Sequence, residues 1–140
     1  MKVKEENIRE MADLILCGHL CFLNTMTGDF EYHPEEMDFF PDEENPWQEL
    51  INKIENNWDD YIRIEPMHST QSFAVMDSFA DQLDSDGFRK KLINALNRPK
   101  PFRNFNYLIH ESDFRQEWFD YRQKRNVEWV REQISDRVDK

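Results

Sequence analysis

The sequence predicts an α+β fold, predominantly helical, with a small antiparallel sheet (a hairpin plus a third strand) packed against about six helices. Three observations carry this. Apolar residues recur at helical spacing over most of the chain, strand signals are confined to three short stretches, and the chain has 3 glycines in 140 residues. Aromatic residues make up 14% of the sequence, enough to build a core even though 34% of residues are charged. At this length one domain, residues 1–140, is expected, with an acidic linker around 34–45 and a frayed C-terminus after about 135.

Ile8, Met11, Ala12, Ile15 and Leu16 fall on one stripe, so residues 4–17 read as an amphipathic helix stopped by Gly18. Residues 19–24 and 29–33 then read as two strands joined around Gly28, which is free to take positive φ. Pairing Asn24 with Asp29 puts His19, Cys21, Leu23, Phe30 and Tyr32 on one largely apolar face, expected on the core. Acids crowd around Phe39 and Phe40 in the linker that follows. Asn45-Pro46 opens a short helix carrying Trp47, Leu50, Ile51 and Ile54, and Asn56 to Asp60 reads as a turn. Residues 61–65 alternate and stop at Pro66, as expected of an edge strand.

The remainder reads as helix. Ser69 or Thr70 is expected to cap a segment bearing Phe73, Met76, Phe79, Ala80 and Leu83, and Ser85 to cap one bearing Phe88, Leu92 and Leu96. A short helix follows Pro101, with Phe102, Phe105, Leu108 and Ile109 as its apolar positions. The final helix runs from about Ser112 to Arg137. At about 100° per residue, Phe114, Trp118, Tyr121, Arg125 and Trp129 share an arc of about 80°. Phe119, Val127, Val130 and Ile134 fall on nearly the opposite side. Such a helix is either central to the core or offers its second side to a partner.

This order, with Leu23-Asn24-Thr25-Met26-Thr27-Gly28, Tyr61-Ile62-Arg63-Ile64, Met76 with Phe79, Phe102-Arg103-Asn104-Phe105 and Trp118-Phe119-Asp120-Tyr121-Arg122, resembles the bacterial uncharacterised protein family numbered 0158 in the UPF series. The likeness covers roughly residues 5–130 and departs from the family pattern at 34–58, where Phe39, Phe40 and the Trp47 helix intervene. It implies the fold described above and brings no catalytic residues with it.

Charge is the most informative functional signal. The net charge is −11, yet residues 1–70 hold 17 acids against 5 bases while residues 71–140 hold 12 against 13. The window 87–110 contains Arg89, Lys90, Lys91, Arg98, Lys100 and Arg103 and no acid. The acidic half disfavours binding of a long polyanion, because like charges repel phosphates over about a Debye length. Arg89, Lys90 and Lys91 are adjacent on their helix, so they spread over about 200° and a solvated face is the plain reading.

Chemistry-bearing motifs are sparse. Cys17, His19 and Cys21 could face one way, but a structural zinc site normally has four ligands, and the hairpin register aims His33 to the other side. No metal and no cofactor are expected. The acid-rich stretch lacks the spacing of a calcium loop, His110-Glu111 lacks a second histidine four residues on, and no glycine-rich phosphate loop is present. The sequence leans away from an enzyme, with no catalytic residues assigned and only a weaker alternative of an enzyme pocket not visible in sequence.

The favoured expectation is a non-catalytic protein-interaction or regulatory module in the cytoplasm, with a protein as partner, no membrane association and an undefined oligomeric state. Its candidate contacts are Arg103, Arg122, Arg125, Phe39 and Phe40, the arginines being able to stack on rings or fork onto the chain's own carboxylates. The alternative is nucleic-acid or phosphate-ligand binding by a basic patch of Arg89, Lys90, Lys91, Lys100 and Arg103, with Phe102 or Phe105 for stacking.

Overall fold

The structure, a computed structural model, describes residues 2–35 and 43–138. Among them are helices α1 (Glu5–Leu16), α2 (Gln48–Asn56), α3 (Ser69–Gln82), α4 (Asp86–Leu96), α5 (Pro101–His110) and α6 (Arg115–Val138). Strands β1 (His19–Asn24), β2 (Phe30–Pro34) and β3 (Tyr61–Ile64) form one antiparallel sheet in the order β2-β1-β3. The fold is therefore α+β and predominantly helical, as the sequence predicts. The chain divides into two compact units, one of Met1–Pro66 with Asn126–Lys140 and one of Met67–Arg125.

In the first unit the hairpin has the expected register. Leu23 pairs with Phe30 and Cys21 with Tyr32, and the Asn24 amide donates to the Asp29 carbonyl at 2.8 Å. Asn24 also fixes the turn itself, its Oδ1 accepting from the Met26 and Thr27 amides while Gly28 takes φ +81°. Cys21, Leu23 and Ile64 then face Ile8, Met11, Ala12 and Ile15 of α1, with Val130 of α6 closing the cluster.

The other face of the sheet is covered too, which the one-sided expectation did not include. Phe22, Ile54 and Tyr61 form a second buried cluster there, and Phe22 stacks on His33 at 5.3 Å. Leu20-Cys21-Phe22-Leu23 is a continuous apolar run, the pattern of a strand buried on both faces.

The end of β3 is capped by α6. Gln133 accepts from the Glu65 amide and donates to the Glu65 carbonyl, both at 2.8 Å, and the Trp129 indole donates to the same carbonyl at 2.8 Å. Arg137 donates to the Arg63 carbonyl at 2.7 Å. Residues two apart on a strand direct their backbone groups the same way, so these side chains occupy an edge that would otherwise be free to pair with another chain. Asn126, buried, donates to the Ala12 carbonyl at 2.6 Å, and Arg131 pairs with Glu5.

In the second unit α3, α4, α5 and the first part of α6 enclose Phe79, Leu92, Phe105, Ile109 and Trp118. Trp118 meets Phe79 at 5.3 Å and Phe105 at 4.8 Å, both edge-to-face, the arrangement that aligns a ring's positive edge with a neighbour's negative face. The cap of α3 lies one residue before Ser69, the earlier of the two expected caps. His68 is the flanking residue, its amide donating to Gln71 Oε1 at 3.0 Å, and Ser69 is already helical.

Candidate functional site

Helices α4 and α5 form a hairpin joined through Asn97 to Lys100, and nearly all of it comes from the window that contains no acid. Leu92, Ala95 and Leu96 bury one side of α4, and Phe105 and Ile109 bury one side of α5. The polar positions left over face a shared groove. Lys91, Asn94, Ala95 and Arg98 line it from α4, Lys100 from the connection, and Arg103, Asn104, Tyr107 and Leu108 from α5. Its volume is about 550 Å³, and four of its nine lining residues are cations with no carboxylate among them.

The connection has an unusual backbone. Lys100 has φ 59° and ψ 53°, the left-handed region, and among the described residues it is the non-glycine residue with positive φ. It also precedes Pro101, a context that favours extended backbone. Holding a side-chain-bearing residue there costs on the order of 1–3 kcal/mol. The surroundings hold it in place. The Asn104 side chain donates to the Pro99 carbonyl at 3.0 Å, the Asn104 amide donates to the Lys100 carbonyl at 3.1 Å, and Asn97 Nδ2 donates to the Ile93 carbonyl at 3.0 Å. Lys100 thus lines the groove at the start of α5, where the helix dipole adds further positive potential.

The structure sorts the basic residues singled out in the sequence. Lys91, Lys100 and Arg103 converge on the groove, joined by Arg98. Arg89 turns away to pair with Asp86 at 2.5 Å, and Lys90 is exposed without lining the groove. Phe105 is fully buried and Phe102 packs edge-on against Phe73 at 6.4 Å, so neither ring faces the groove. The aromatic that does is Tyr107, 69% exposed. Its i+4 spacing from Arg103 is the signal in the sequence that marks it.

Arg122 and Arg125 lie elsewhere, on α6. Arg125 donates to the Tyr121 hydroxyl at 2.9 Å and to Ser78 Oγ at 3.4 Å, and lies over the Tyr121 ring. Arg122 stacks over Trp118 and Phe119 at 5.8 and 5.5 Å, with Arg115 over the same Phe119 ring at 5.4 Å. Phe39 and Phe40 lie outside the described residues.

Two further concavities belong to the first unit. One, about 350 Å³, is lined by residues 55–60, among them Glu55, Asp59 and Asp60 with the exposed Trp58. The other, about 210 Å³, is lined by residues that include Phe22, His33, Trp58 and Arg63. His33 Nδ1 is 2.8 Å from the Pro34 carbonyl, and it lies across the sheet from Cys21, whose thiol points at the Met11 carbonyl. Among the described residues no group of three or more His, Cys, Asp or Glu side chains is arranged to hold a metal ion. No helix among them is long and apolar enough to cross a membrane.

Among the described residues an antiparallel three-stranded sheet and six α-helices, two of them forming a hairpin with a basic groove, define the class as a small α+β protein. The model of the uncharacterised protein family UPF0158 matches residues 26–138, and the chain belongs to that family. It is also similar to the UPF0158 protein PA5073 of Pseudomonas aeruginosa, at 31% identity over 94 residues, 66% of this chain and 61% of that protein. The matched part thus spans less than two thirds of the relative's length. No solved structure matches the chain significantly.

Proposed function

We propose that this chain is a binding module for a small phosphate-bearing ligand, held in the groove between α4 and α5. The observation that carries the reading is the convergence of Lys91, Arg98, Lys100 and Arg103 on one concavity that no acid lines. Four like charges brought together repel one another, and the strained backbone at Lys100 adds to that cost. The repulsion is offset when an anion occupies the groove. A guanidinium forks onto two phosphate oxygens at once, and an ammonium adds a mobile point charge beside it. The acidic remainder of the chain favours a ligand with few phosphates over a long polyanion.

The protein-interaction reading rested on Phe39 and Phe40 and on the two-sided final helix. Along the C-terminal part of α6 the second side is filled by the chain itself, Val127, Val130 and Ile134 packing with the α1 residues of the first unit, whereas Phe119 stays exposed. For those three residues no partner is needed.

The test is a titration with tripolyphosphate at low salt. Binding is expected to weaken as salt rises, and to fall about tenfold or more in Arg98→Gln/Arg103→Gln. Arg89→Gln, which removes a cation outside the groove, is expected to bind as the natural chain does. Absence of binding at low salt, or equal loss in the Arg89 variant, contradicts the reading.

A further inference from the structure

We infer that the ligand of the α4–α5 groove is a phosphorylated nucleoside, its phosphate held by Arg98, Lys100 and Arg103 and its base stacked on Tyr107. The inference rests on the anion-binding reading above and adds to it the second half of the ligand. Cations alone recognise phosphate of any origin. Tyr107 is what makes this groove more than a charge trap.

Tyr107 lines the groove yet is 69% exposed, and among the described residues its ring packs against no other aromatic ring. Every other aromatic on α5 is spent on the core, Phe105 against Trp118 and Phe102 against Phe73. An aromatic ring bordering four cations offers a flat apolar face to a ligand whose charge is already satisfied alongside it. Nucleobases stack on such faces irrespective of sequence, because every base has a π-face.

The spacing fits. Arg103 and Tyr107 are four residues apart on α5, hence on the same face and separated by about one helical turn of 5.4 Å. A nucleotide likewise carries its phosphate and its base at opposite ends of one sugar. Asn94 and Asn104 line the same groove, and a carboxamide supplies both donors and an acceptor for the edge of a base. The volume of about 550 Å³ falls within the range of roughly 300–1,000 Å³ that small-molecule sites occupy. An acidic peptide would satisfy the cations but would leave the Tyr107 ring without a complementary face. The nucleoside phosphate can come as a free nucleotide or as one unit of a single strand, since the recognised chemistry is the same.

The experiment is a set of low-salt titrations of the full chain with AMP, ribose 5-phosphate, pyrophosphate, a single-stranded tetranucleotide and a short polyglutamate. AMP is expected to bind about tenfold or more tightly than ribose 5-phosphate, the difference being the stacked base. Tyr107→Ala abolishes that preference while leaving ribose 5-phosphate affinity unchanged, and Tyr107→Phe, which keeps the ring, retains it. At this degree of exposure neither substitution touches the core, so both variants report on binding. A tetranucleotide that binds more tightly than AMP identifies a strand as the source, and equal binding identifies the free nucleotide. Equal affinity for AMP and ribose 5-phosphate, a preference that survives Tyr107→Ala, or polyglutamate binding as tightly as AMP each overturns the inference. If pyrophosphate and every other phosphate compound fail to bind, the anion-binding reading falls with it.

Discussion

Two cysteines only four residues apart show how far local environment separates identical side chains. Cys17 is exposed at the end of α1, whereas Cys21 is fully buried in β1. Burial pushes the Cys21 thiol up to about 12, with the nearby Glu10 carboxylate adding to the effect. Because the thiolate is the nucleophile, a thiol reagent at neutral pH is expected to modify one cysteine in the native protein and two after denaturation. Rapid modification of both in the native state contradicts the burial of Cys21. The same shift has a sign for stability. The folded state holds the Cys21 proton more tightly than the unfolded chain, so this contribution is intact below pH 9 and is lost as pH rises from about 9 to about 12.

Lys100 gives the second prediction at this scale. Glycine enters the left-handed region without the steric penalty of a Cβ, but it adds freedom to the unfolded chain. Lys100→Gly is therefore expected to leave stability unchanged or raise it by up to about 1 kcal/mol, while weakening tripolyphosphate binding. Denaturant melts and titrations measure the two effects separately. Loss of stability and binding together would indicate that Lys100 serves the fold and not the groove.

At the scale of the element, α6 shows what a helical wheel reports and what it omits. The wheel places Trp118 and Val130 on different sides, and both are buried, at 2% and 0% exposure. They serve different clusters at successive positions along the helix, Trp118 beside Phe79 and Phe105, Val130 beside Met11 and Leu23. A wheel superimposes such positions and so reads them as one two-sided helix. Phe119, grouped by the wheel with the valines, is instead exposed between Arg115 and Arg122. Trp118→Ala is accordingly expected to cost about 3–5 kcal/mol, and Phe119→Ala about 1 kcal/mol or less, in denaturant melts. Equal losses would contradict this division of the helix.

The hairpin is legible because Gly28 marks the turn and pairing Asn24 with Asp29 leaves one register. The cap of α3 was less so, since His68, Ser69 and Thr70 are adjacent and a helix start shifts easily by one residue. Of the site, the acid-free window could be read directly. Which of its cations meet could not, because that depends on α4 packing beside α5. That packing turns Lys91 and Arg98 toward Arg103 and leaves Arg89 to Asp86.

Over the whole molecule, charge follows the two compact units. The unit containing the sheet carries 21 acids against 8 bases, and the unit Met67–Arg125 carries 8 against 10. One acid of the first half, Glu5, pairs with an arginine of α6, Arg131, which is not one of the arginines singled out in the sequence. The groove cations lie in the unit with the near-neutral balance, although the net charge of the chain is −11. At physiological salt the Debye length is about 8 Å, so a short anion in the groove is screened from more distant acids, whereas a long duplex is not. A duplex of some forty base pairs is thus expected to bind no more tightly than a tetranucleotide at that salt concentration.

The most direct test of the central claim is backbone-amide NMR of the full chain titrated with pyrophosphate at low salt. Saturable shifts are expected, concentrated at Lys91, Asn94, Arg98, Lys100, Arg103 and Asn104, with the amides of α1 and the sheet unmoved. Shifts centred outside the α4–α5 hairpin, or no saturable shifts at all, would contradict it.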